Sequence, residues 1–274
     1  MSEVRRPDGV SIHYTVRGEG PLVALAPYWS WMPGVYDPVL DDLAADHRTL
    51  VYHPRGTGES SRRGPYDMET DAADLEAVLA AAGGPAVVFS LANAVNWATR
   101  VAARRPDLAG QVVSVGAPAL PRAEFLRSDA LVASDTVVEA FREQMSRDYR
   151  GAVRSAMEAT NPQMTQEELQ RRVATQVEHQ PAEAALERIK AWVADQPLEL
   201  SRALGDRLTM LNSVAGQAEP WFPSSEELRK ITSRLLPEAR IVTVPDGPVS
   251  APGATAAAIR EIVRELRPQP SGRT

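Results

Sequence analysis

The stretch from Pro85 to Ala103 constrains the fold of this chain most. Pro85-Ala86-Val87-Val88-Phe89 is an apolar run with two β-branched residues, the pattern of a strand buried on both faces. Only Ser90-Leu91-Ala92-Asn93-Ala94 separates it from a helical pattern, Val95-Asn96-Trp97-Ala98-Thr99-Arg100-Val101-Ala102-Ala103. A doubly buried strand that turns almost at once into a helix needs a sheet covered on both sides. Such sheets occur in α/β domains with parallel strands.

The rest of the chain follows the same rhythm. Asp8 to Val16 alternates like a half-buried strand, and Arg17-Gly18-Glu19-Gly20-Pro21 is a turn. Leu22 to Ala26 is a second doubly buried strand, Val35 to Ala45 has helical spacing, and Arg48 to Tyr52 is a strand again. Asp67 to Ala82 is an amphipathic helix with acids early and Gly83-Gly84 as its stop. A strand at Gln111 to Val115 follows the helix that ends before Pro106. The alternation resumes later with strands at Arg207 to Leu211 and Arg240 to Val244, and helices at Glu226 to Leu236 and Ala254 to Leu266.

Between these halves the rhythm breaks. From about Pro121 to Gly205 the chain is charged, helical and strand-free, with helices expected at 135–147, 165–178 and 182–193. The expected architecture is a core of residues 1–120 and 206–274 with a helical cap, 121–205, inserted into it. The alternative is a set of surface helices with no gating role.

Bulk properties exclude several function classes. The 274 residues, 43% hydrophobic and 24% charged, suit one large globular domain. A net charge of −6 and no basic stripe argue against nucleic acid as a partner. No apolar stretch reaches the roughly 18 to 20 residues that span a bilayer, so no membrane partner is expected. The N-terminus leads into polar sequence, and the expected location is the cytoplasm. With no cysteine, disulfides, thiolate catalysis and thiolate metal sites are ruled out together. The four histidines lack metal-ligand spacing, and no Walker or dinucleotide fingerprint is present, so neither a metal nor a cofactor is expected.

Several motifs, in order, resemble those of the α/β-hydrolase family over nearly the whole chain. Leu22-Val23-Ala24-Leu25-Ala26-Pro27-Tyr28-Trp29 sits where that family has a strand, His-Gly and the oxyanion loop. Tyr52-His53-Pro54-Arg55-Gly56-Thr57-Gly58-Glu59-Ser60 matches its Asp-x-Arg-Gly-x-Gly-x-Ser loop, with His53 in place of the aspartate. Ser90-Leu91-Ala92-Asn93-Ala94 occupies the G-x-S-x-G nucleophile elbow, and counting fourteen back from Pro106 also lands on Ala92. Gly216-Gln217-Ala218-Glu219-Pro220-Trp221-Phe222-Pro223 resembles the segment carrying the catalytic acid. Val244-Pro245-Asp246-Gly247-Pro248 falls where Gly-His supplies the base. The resemblance implies a mostly parallel eight-stranded sheet flanked by helices, with the helical cap inserted.

It also implies a degenerate triad. A serine hydrolase needs an oxygen nucleophile, an imidazole to take its proton and an acid to orient the imidazole. Ala92 cannot attack and Pro248 cannot accept a proton, so Glu219 alone survives as the acid. Ala92 is either a natural loss or a working serine replaced to trap a substrate. The missing histidine at Pro248 favours natural loss. An oxyanion hole is still available from the backbone N–H of Asn93 and, since Pro27 has none, from Tyr28 or Trp29.

Other candidates carry two readings each. His53 is either an acid–base imidazole at a strand's C-terminal edge or a histidine hydrogen-bonded to the Gly56–Gly58 loop. Ser90 is either a displaced nucleophile or a hydrogen-bonded core serine. His179, in the cap, faces either the pocket or solvent. Asn93, Asn96, Trp97, Tyr28, Trp29 and Trp31 are expected around the old active-site floor, with Trp221 nearby; Trp97 and Trp31 are otherwise core residues. Aromatics and amides together make a pocket for a flat apolar ligand.

Three functions remain open. The first is non-hydrolytic chemistry on a hydrophobic small molecule such as a secondary metabolite: cyclisation, isomerisation or elimination, with Tyr28, His53, Asn93, Asn96 or Glu219 acting. The second is a ligand-binding pseudoenzyme. The third is an ester or lactone hydrolase whose nucleophile was replaced at position 92. A homodimer is compatible with all three.

Overall fold

A computed structural model describes residues 1–28, 34–121, 123, 128–160, 164–195, 197–215 and 223–265. Eight strands form one sheet: β1 Ser2–Arg5, β2 Ser11–Arg17, β3 Leu22–Ala26, β4 Arg48–Tyr52, β5 Ala86–Leu91, β6 Ala109–Val115, β7 Leu208–Ser213 and β8 Arg240–Val244. Their order is β1-β2-β4-β3-β5-β6-β7-β8. The β1–β2 and β2–β4 pairs are antiparallel, and every pair from β4 to β8 is parallel. This is the α/β-hydrolase arrangement. The apolar runs at β3 and β5 lie side by side in the middle, where all their residues are buried.

Helices cover both faces. On one side α1 (Asp37–Leu43) and α10 (Pro252–Glu265) pack Val39, Leu40 and Leu43 against Ile259, Ile262 and Val263. On the other, α2 (Met68–Ala82), α3 (Ala94–Arg104) and α9 (Ser225–Leu235) bury Leu75, Leu79, Val101 and Leu235. α2 starts where its sequence says: Asp67 accepts from the Thr70 N–H at 2.7 Å, satisfying a first-turn donor. It stops at Gly83, whose φ of 75° is a left-handed cap.

Between β6 and β7 the chain runs through α4 (Ser128–Arg147), α5 (Tyr149–Thr160), α6 (Gln166–His179), α7 (Ala182–Ala194) and α8 (Leu198–Leu204). Three elements differ from the sequence expectation. β1 is an additional edge strand; its polar Ser2-Glu3-Val4-Arg5 carries no alternation signal and is held by its register with β2. α5 and α8 are additional helices. α5 shows only a narrow apolar stripe, with Ala152, Val153 and Met157 buried, and α8 has seven residues. Two early acids of α2, Asp71 and Asp74, are buried, against Arg188 of α7 and Arg55 respectively. Among the described residues no helix is long and apolar enough to cross a membrane.

Candidate active site

The turn between β5 and α3 has the geometry of a nucleophile elbow. Ala92 has φ +45°, the only positive value at a non-glycine among the described residues. That conformation costs an L-residue roughly 1–2 kcal/mol and persists only where surroundings enforce it. The enforcing bonds are the start of α3, where the Val95 N–H donates to Ala92 O at 3.2 Å and the Asn96 N–H to Asn93 O at 3.1 Å. Ala92 is exposed while Leu91 and Asn93 on either side are buried. The turn thus presents a methyl group where the elbow of a hydrolase presents an oxygen.

Ala92 opens onto a cavity of about 500 Å³. It lies at the C-terminal ends of the parallel strands, where open α/β sheets bind ligands. Tyr28 enters after β3, Tyr36 from the start of α1, Asn93 and Asn96 from the elbow and α3, and Val115 to Pro118 from the end of β6 and the turn after it. Trp192 of α7, Ser213 at the end of β7, and the Asp246–Ser250 loop after β8 complete it. Pro248 is on this wall, so the positions expected for nucleophile and base face one cavity. The α3 N-terminus also borders it, bringing backbone N–H donors and a partial positive charge to the Ala92 side.

The structure brings together Tyr28, Ala92, Asn93, Asn96 and Pro248 and places the other described candidates elsewhere. Ser90 is buried in β5 and donates from Oγ to Val113 O at 3.0 Å, which makes it a core serine. Trp97 is fully buried, its Nε1–H bonded to the Tyr52 hydroxyl at 3.1 Å. His53 is not among the cavity-lining residues: its Nδ1 accepts from the Glu59 N–H at 3.0 Å, so the loop reading describes its position. Gly58 must be a glycine for that packing, since a Cβ there would sit 2.3 Å from His53 Nδ1. Burial pushes the His53 imidazole below its ordinary range, so the neutral ring is the resting form. His179 ends α6 on the far side of that loop, where its carbonyl accepts from the Gly58 N–H at 2.8 Å. Trp29, Trp31, Glu219 and Trp221 lie outside the described residues.

Several cavity residues were not singled out from the sequence, Tyr36, Trp192, Ser213 and Asp246 among them. Tyr36 faces the cavity with its phenol pushed well up by burial and by neighbouring Tyr28, so it is a proton donor throughout the working pH range. Its position at the N-cap of α1, with no side-chain cap bond, left no motif to find. Trp192 read as one more apolar position of a helix. Ser213 has a buried Oγ with no hydrogen-bond partner among the described residues. Asp246 lies two residues before Pro248 in the same segment, with no spacing that marks it as a site residue. Behind the wall, Asn96 donates from Nδ2 to Asp195 Oδ2 at 2.7 Å, and Arg100 grips Asp195 at 2.5 and 2.9 Å. Among the described residues no cluster of three His, Asp or Glu side chains could hold a metal ion.

No family model matches the chain, and no curated protein does. Solved structures do. An esterase from Thermogutta terrifontis, solved with malate bound, aligns over 98% of this chain and 100% of its own at 19% identity, with a TM-score of 0.76. A bromoperoxidase from Bacillus anthracis gives 0.76 at 16% identity, over 96% and 99% of the two chains. An enol-lactonase from Burkholderia xenovorans gives 0.70 at 18%, over 94% and 97%. At such identities the likeness is one of fold, and its members differ in reaction.

Proposed function

We propose that this chain is an enzyme of hydrolase shape that acts on a hydrophobic small molecule without hydrolysis, by cyclisation, isomerisation or elimination. One observation carries the reading. The elbow keeps its strained backbone and its cavity, while the nucleophile and base positions hold Ala92 and Pro248. The triad is degenerate on this reading, and residues 121–205 act as its cap.

The chemistry follows from what lines the cavity. A ligand carbonyl seated at the Asn93 and Tyr28 backbone is polarised there, and the protonated phenol of Tyr36 delivers a hydrogen bond to developing charge. The mostly apolar walls hold the ligand in a reactive conformer, which is worth several kcal/mol without a covalent step. Hydrolysis by a relocated triad has little support, because His53 and His179 both lie away from the cavity lining.

The test has two arms. Ala92→Ser assayed on aryl esters is expected to stay inactive; turnover would restore the hydrolase reading. Incubation of the wild-type protein with apolar carbonyl compounds is expected to yield products of unchanged mass, or of a mass reduced by an eliminated group, seen by mass spectrometry. Tight binding without conversion of any of them would make the protein a binding module instead.

A further inference from the structure

Charge along the cavity wall carries a statement about the ligand. Among the described residues that line it, Asp246 is the single charged side chain, and no Arg, Lys or His is present. Its Oδ1 accepts a local bond from the Gly247 N–H at 2.6 Å, and no cation among the described residues pairs with it. Elsewhere buried carboxylates are paired: Asp71 with Arg188, Asp74 with Arg55, Asp195 with Arg100. An acid facing an apolar cavity without a counter-ion is the exception.

We infer that the ligand is an apolar molecule carrying a basic nitrogen, and that Asp246 is the counter-ion of its ammonium group. The inference rests on this cavity being the working site. The cavity is then polarised end to end. A ligand carbonyl or ring oxygen lies towards the α3 N-terminus, which carries partial positive charge, and the ammonium lies towards the β8 loop. Carboxylates and phosphates are selected against, because they would be desolvated beside Asp246 with no cationic side chain among the described lining residues to receive them. Asp246 here is a binding residue, and no step of the chemistry is assigned to it.

Two probes of one shape test this: 2-naphthylmethylamine and 2-naphthoate, titrated calorimetrically into the wild-type protein and into Asp246→Asn. The amine is expected to bind at least about tenfold more tightly than the carboxylate to the wild type, with the gap closing in Asp246→Asn. Equal or tighter binding of the carboxylate, no binding of either probe, or a gap unchanged in a folded Asp246→Asn would overturn the inference. Should that variant not fold, Asp246→Glu must keep the preference, and its loss there counts against the assignment. Binding is read without turnover. A preference for the amine with no conversion of any ligand therefore leaves Asp246 as counter-ion and removes the catalytic reading; conversion of a carboxylate substrate does the opposite.

Discussion

Two helices of the inserted segment, α6 and α7, are attached to the core by different physics. α7 is fastened through buried charge. Arg188 forks onto Asp71 of α2 at 2.7 and 2.8 Å and also donates to Arg55 O at 2.7 Å, with both partner side chains only 1% exposed. Seven residues on, Asp195 takes the Arg100 and Asn96 bonds from α3. Trp192 lies between the two clasps on the same helical face, since residues i, i+4 and i+7 line up. α6 instead lies on apolar contact, with Leu169 and Val173 packed against Val35 and Val153. At its end, carbonyls accept from the core, His179 O from the Gly58 N–H and Glu178 O from Arg62. Bidentate pairs fix orientation as well as distance, so α7 is the rigid wall; apolar contact is non-directional and tolerates sliding.

The contrast can be broken at its strongest point first. Arg188→Met leaves Asp71 buried without its partner and is expected to cost about 3–5 kcal/mol in urea unfolding. Adding Asp71→Leu should recover most of it, because paired removal of a buried ion pair is often nearly neutral. A single change within error of wild type would show that α7 does not depend on this clasp. At the other end, Asp195→Asn should cost about 1–3 kcal/mol by weakening the Arg100 grip. It should also shift Trp192 fluorescence, read in a variant that keeps this tryptophan alone.

On the α6 side the effects are smaller. Arg62→Ala removes an exposed bond to Glu178 O and is expected to cost no more than about 1 kcal/mol. In native-state hydrogen exchange α6 should open at lower free energy than α7; equal protection would erase the distinction. The smallest effect is a pH dependence at the His53 junction beneath α6. Burial lowers the native imidazole pKa, so the unfolded chain binds the proton more readily. The stability His53 contributes is complete above the ordinary imidazole range and is lost as pH falls through the depressed native value. His53→Gln should flatten that acid-side decline in a melting-temperature series.

How much of this was legible in the sequence depended on the range of the interactions. The strand Leu22–Ala26 announces itself because burial on both faces leaves an unbroken apolar run. The elbow was legible through the resemblance of one short local segment, Ser90 to Ala94, to a family motif. Asp71 and Arg188 were not, being 117 positions apart and ordinary charged residues until the fold joins them. The site divides in the same way. Ala92, Asn93 and Asn96 follow from one motif, whereas Tyr36, Trp192 and Asp246 reach the cavity from three separate segments that only the topology brings together. Trp97 shows the converse, an aromatic on the right helix that the turn of the helix directs into the core.

The left-handed backbone at Ala92 also bears on evolvability. A serine there would be placed by a turn already bent to hold it, so a nucleophile is a single substitution away with no backbone rearrangement. The base is not symmetric with it. Pro248 is buried in its loop, and replacing it would alter a backbone dihedral and add an N–H that must find an acceptor. On the function proposed above, a serine at position 92 would restore half of a hydrolytic machinery without restoring the activity, which makes the change of chemistry a ratchet.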